Sequence, residues 1–145
     1  MELLQNVHSY LAYVVLLVLF LAVANAITGL AGNRMFTLHK DFRLSLFALI
    51  LSHLQLILGL IVYFVATSGF KALQIVGIGN LNAPARLLAV EHPFINIVAI
   101  ILITIGWSRH KKFLEGKKKF KSIALFYGLG LLLILSRIPW GQWLN

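Results

Sequence analysis

The chain has no cysteine. That absence excludes disulfides, thiolate metal centres, redox thiols and covalent thioether attachment of a prosthetic group. Acidic residues are almost as scarce, with Asp and Glu totalling 4 in 145 residues. No paired-carboxylate site, hydrolase triad or phosphate-cradling loop can be read from the sequence. Charged residues make up 12% of the chain, about half the roughly 25% of a soluble domain. An ordinary water-soluble globule is therefore excluded. Disorder is excluded by the opposite excess, since 60% of residues are hydrophobic and the mean hydropathy is +0.90. What remains is a membrane protein of one domain and a few spanning helices.

Lys and Arg total 13, giving a formal net charge of +9. In a soluble chain this would suggest nucleic acid. Here the basic residues lie between apolar runs, so they read as topology signals and headgroup contacts, with the lipid bilayer and no nucleic acid as partner. Four spans are expected, at residues 10–30, 44–66, 85–107 and 122–138, each near the length that about 20 helical residues need to cross a bilayer core. The third apolar run is short and is completed backwards through residues 85–91, with Pro84 at a helix start and Pro93 placed to kink the helix. The first run is too long for a signal-peptide core and no basic residue precedes it, so it is expected to be a retained helix. Four non-alternating runs cannot close a β-barrel.

The connections separate by charge. One holds Arg34, Lys40 and Arg43; another holds Arg109, Lys111, Lys112, Lys117, Lys118, Lys119 and Lys121. Only Lys71, Arg86 and Arg137 fall on the opposite side. The positive-inside rule then makes the two basic connections cytoplasmic and puts both termini outside. The expected fold is an all-α membrane protein, an antiparallel four-transmembrane-helix bundle. Residues 71–78 are expected to lie along the outer interface, followed by a turn at Gly77–Asn80.

Ionisable residues within spans are costly and point to function. His39 and His110 sit among the cytoplasmic basic residues and are expected to be solvated. His8 and His92 stand just before the apolar cores of the first and third helices, which enter from the same side and can face each other. Two neutral imidazoles on facing helices suit a bis-histidine haem b, which needs no cysteine. From the cytoplasmic ends, a rise of about 1.5 Å per residue places His92 near ~22 Å and His8 near ~30 Å, with tilt absorbing part of the gap. His53 lies only ~14 Å up and leans the other way. It is the alternative ligand, with an internal hydrogen bond, a second cofactor, a quinone or a proton path as its other readings. Arg137 and Arg86 are candidates to meet haem propionates. Gly59 would let a flat ligand approach its helix closely.

The segments Val7-His8-Ser9-Tyr10-Leu11-Ala12, Leu54-Gln55-Leu56-Ile57-Leu58-Gly59 and Glu91-His92-Pro93-Phe94 resemble those of small bacterial four-helix membrane proteins described as cytochrome b. The bundle also resembles one half of haem A synthase, where outward histidines on the first and third helices bind haem. That enzyme carries an arginine after its first histidine, where this chain has Ser9, and it has two halves. Carried over by position, the resemblance implies His8 and His92 as axial ligands. It also implies a bacterial inner-membrane location. The leading expectation is one-electron transfer by a haem b protein, with a quinone or a redox subunit of a respiratory complex as partner, rather than a stand-alone enzyme. The alternative is a haem-free accessory subunit of a larger membrane complex.

The charge asymmetry generates a topology prediction. Reporters fused after residue 145 or inserted at Gly79 should be exported, and one inserted at Gly116 should stay cytoplasmic. An exported Gly116 reporter would reverse the orientation.

Overall fold

A computed structural model describes residues 1–143. The described residues form helices and turns without strands. Helix α1 runs Glu2–Ala31. A wide π turn, Leu38–Phe42, leads into α2, Arg43–Val65. Short α3, Phe70–Val76, and a 3₁₀ turn, Ile78–Asn80, are followed by α4, Ala83–Arg86. A second π turn, Leu87–Glu91, opens into α5, His92–His110. Helix α6, Gly116–Ser136, and the terminal turn α7, Trp140–Trp143, complete the described chain.

Four helical segments are long and apolar enough to cross a membrane: Glu2–Ala31, Leu38–Val76, Ala83–His110 and Gly116–Ser136. Each expected span is present, and the first, third and fourth helical segments begin ahead of their apolar stretches. The reason is that backbone groups must stay paired within the helix through the hydrocarbon and headgroup layers, whatever the side chains. Helix α1 therefore begins at Glu2, which puts His8 inside a helix instead of before one. Helix α6 likewise starts at Gly116, so Lys117–Lys119 and Lys121 ride on its first turns.

The long helices pack in the cyclic order α1, α2, α5, α6, with α1 and α5 diagonal to each other. Small residues allow this approach. A Cβ on Gly29 would stand 2.5 Å from the Phe120 ring, and one on Gly130 would meet Ile103 at 2.7 Å. The core holds Leu19, Ala26, Ala48, Ala99, Ile103, Ile123 and Tyr127. Large apolar side chains such as Leu17, Phe20, Phe47, Ile57 and Leu132 point outward, the distribution expected of a surface in lipid. Tyr127 donates to the Ser45 carbonyl at 2.9 Å, and Ser122 to the Gly106 carbonyl at 3.0 Å.

The connection after α1 is more than a solvated basic stretch. Asp41 is fully buried. Its Oδ1 accepts from Asn25 Nδ2 at 2.7 Å and faces Arg34 at 3.0 Å. Its Oδ2 accepts from the Thr37 amide at 2.7 Å, the Thr37 hydroxyl at 2.9 Å and Arg34 at 3.2 Å. Arg34 thus neutralises a buried carboxylate and ties α1 to the turn before α2. His110 also departs from expectation, since it is 1% exposed. Its Nδ1 donates to the Trp107 carbonyl at 2.6 Å, and its ring packs on Phe36, Phe42 and Trp107. Aromatic neighbours from three segments outweigh the hydration suggested by the adjacent lysines.

Asp41→Ala should destabilise the protein by about 3 kcal/mol, because it leaves Arg34, Asn25 and the Thr37 amide without their acceptor. Thermal unfolding in detergent checks this; an unchanged midpoint would show that the network is only decorative.

Candidate functional site

The start of α5 is shaped by a proline. Pro93 has no N–H to give to the carbonyl of Ala89, four residues back. The preceding π turn accommodates the proline ring, and the freed Ala89 carbonyl accepts the Tyr63 hydroxyl at 3.1 Å instead. The expected interruption at Pro93 is therefore a local widening that docks α5 against α2. It also fixes His92 one residue earlier.

His92 is held by its own backbone surroundings. Its Nδ1 lies 2.7 Å from the carbonyl of Arg137 at the end of α6. A carbonyl can only accept, so Nδ1 carries the proton and Nε2 keeps a lone pair. Asn96 braces the same turn by donating to the His92 carbonyl at 2.6 Å. His8 approaches from α1, where Gln55 Nε2 donates to its carbonyl at 2.9 Å. The His8 ring lies against Gly59: a Cβ there would stand 3.0 Å from Cε1. A glycine at this position is what allows the ring to lie so close to α2.

The two rings meet across the bundle, with centroids 6.4 Å apart and planes at 86°. They line a cavity of about 480 Å³, within the roughly 300–1,000 Å³ of small-molecule sites. Its walls include Leu16, Leu56, Leu60 and Ile100, and Gln142 and Trp143 contribute from beyond α6. Three buried side-chain atoms among the described residues lack a hydrogen-bond partner: His8 Nδ1, Ser52 Oγ and Gln55 Oε1. All three belong to residues lining this cavity. Buried polar atoms in folded proteins are nearly always satisfied, so three orphans on one surface mark a place for water or a ligand.

The other candidates fall elsewhere. His53 Nδ1 lies 2.8 Å from the Leu49 carbonyl and Nε2 lies 3.3 Å from the Thr104 hydroxyl. Both nitrogens are engaged within the α2–α5 contact, and His53 does not line the cavity. Arg86 and Arg137 converge on Glu91, at 3.0 Å and 3.3 Å. This cluster adjoins His92 without lining the cavity itself. Gly59 does line it. Among the described residues, no three His, Asp or Glu side chains cluster so as to hold a metal ion alone. Sequence reasoning gave no role to Ser52, Gln55 or Asn96. The spacing of Ser52, Gln55 and Gly59 along one helix face was the available signal.

Comparison of the chain with protein families, with curated proteins and with solved structures finds no match.

The geometry at Gly59 is directly testable. Gly59→Val should push the His8 ring out of place, shifting its imidazole resonances in NMR spectra. Gly79→Val, where a Cβ meets nothing within 4 Å, should leave them unmoved. Unshifted His8 resonances in Gly59→Val would contradict the close packing.

Proposed function

We propose that the chain is an antiparallel four-helix bundle of a bacterial inner membrane, with both termini outside. It binds a non-covalent haem b between His8 and His92 and transfers single electrons. The observation that carries this reading is the spacing of the two imidazoles. Two ring nitrogens bound to one metal at about 2 Å each put the ring centres about 6 to 6.5 Å apart, and the observed separation is 6.4 Å. The donor set also suits the group. Imidazole is a ligand for iron, and His8 and His92 would hold the haem from two helices.

Haem bound there supplies a one-electron iron couple whose potential follows its axial ligands and surroundings. The chain's own residues have separate tasks. His92 donates its Nδ1–H to the Arg137 carbonyl, which fixes the tautomer and makes Nε2 the ligating atom, as buried carbonyls do for ligand histidines. Gly59 keeps the face of α2 flat beside His8. Leu16, Leu56, Leu60 and Ile100 give the cavity apolar walls. Arg86 and Arg137 share one carboxylate, Glu91. The three groups carry one net positive charge beside His92, suited to propionates.

The likeness of the three sequence segments to small bacterial cytochrome b proteins supports the same reading, and the positive-inside distribution supports the orientation. A quinone or a partner redox subunit is the proposed exchange partner.

The test is haem content per chain, by pyridine haemochrome assay on the purified protein and its variants. His8→Ala and His92→Ala should each lower retention by more than about tenfold, while His53→Ala keeps it. Each variant must show unchanged helical content. Haem lost from His53→Ala but retained in His8→Ala would move the site between α2 and α5. A haem-free wild type that co-purifies stoichiometrically with a larger complex would favour an accessory subunit.

A further inference from the structure

Nδ1 of His92 has two neighbours that make opposite demands on it. The Arg137 carbonyl, at 2.7 Å, can only accept, so it requires a proton on Nδ1. The side-chain nitrogen of Asn96 stands 3.3 Å from the same atom. That nitrogen can only donate, so it requires a lone pair there. Its orientation is fixed, because it also donates to the His92 carbonyl at 2.6 Å, and an amide NH₂ has a second hydrogen to give. The shorter contact decides: the carbonyl keeps the proton on Nδ1 and leaves the lone pair on Nε2. Without the carbonyl, Asn96 would face Nδ1 alone. The ring proton would then favour Nε2 and block the nitrogen that a metal needs.

What holds the carbonyl there is the residue before His92. Arg137 follows the end of α6, where the last carbonyls of a helix have no partner inside it. Its side chain is tied down instead. Arg137 Nε lies 3.3 Å from Glu91 Oε2, and Glu91 Oε1 accepts from Arg86 Nε at 3.0 Å. Glu91 and His92 are consecutive, so Arg137 is gripped at two points, its guanidinium by Glu91 and its carbonyl by His92. We propose that Glu91 is a positioning residue for His92. By holding Arg137 it keeps the carbonyl on Nδ1 and the ring in the tautomer that ligates through Nε2, against the competing donor of Asn96. The metal at Nε2 rests on the proposed function; the control of the tautomer does not.

The experiment reads the tautomer by NMR of the His92 ring nitrogens in haem-free protein, at alkaline pH, where neutral imidazole prevails. Wild-type protein should show the Nδ1–H form. Glu91→Ala should lower the ratio of Nδ1–H to Nε2–H by about fivefold, the upper range for a partly exposed ion pair. Removing the competing donor as well, in Glu91→Ala with Asn96→Leu, should restore the ratio. Simple loosening of the start of α5 would not be repaired by a second substitution. Haem retention should follow the same order, falling about fivefold in Glu91→Ala and recovering in the double variant. Charge alone predicts the reverse, since losing Glu91 frees both arginines for propionates.

An Nε2–H ring in the wild type, an unchanged ratio in Glu91→Ala, or a ratio that Asn96→Leu fails to restore overturns the role of Glu91. A tautomer that responds as stated, in a wild type that binds no haem, overturns only the haem reading. Normal haem with a tautomer indifferent to Glu91 overturns only the positioning.

Discussion

An unpaired polar atom buried in an apolar bundle costs about 1–3 kcal/mol, and this chain meets that constraint in two opposite ways. Around Asp41 it is met completely. Each carboxylate oxygen has partners from Asn25, Arg34 or Thr37, and the result is a closed clamp on the turn between α1 and α2. Around His8 it is left open, with unpaired atoms on His8, Ser52 and Gln55, three residues that line one cavity. A structural network is expected to saturate itself, and a binding site is expected not to.

The open region is not loosely built. His92 is anchored through Nδ1 to the end of α6, and Tyr63 caps the carbonyl that Pro93 leaves free. Gln55 ties α2 to α1 through the His8 carbonyl. These bonds use backbone acceptors and leave side-chain atoms over. The two rings are thereby positioned from diagonal helices without touching the groups that would satisfy them. Holding ligating side chains by backbone contacts is the usual condition for a preorganised site.

Much of this was legible in the sequence. Apolar run length marked the four spans, and the placement of His8 and His92 at matching entry points brought them to one depth. The diagonal facing of α1 and α5 followed from packing four helices in chain order. What escaped was set by tertiary detail. Asp41 looked like one acid among bases because the reach of Asn25 and Arg34 cannot be read from spacing. His110 was misjudged because two of its aromatic neighbours, Phe36 and Phe42, come from a distant part of the chain and join Trp107 of its own helix. The unpaired state of Ser52 is a bond not made, which no periodicity records. Arg137 and Arg86 were read only as candidates to meet haem propionates, and their shared use of Glu91 is a tertiary contact that spacing does not record.

The central claim is that one iron stands between the imidazoles of His8 and His92. Low-temperature electron paramagnetic resonance of the oxidised, purified protein addresses it most directly, because spin state reports the number of strong axial nitrogens. A low-spin ferric signal integrating to one haem per chain is the predicted result. A high-spin signal, or a low-spin one that persists unchanged when both histidines are replaced, would contradict it.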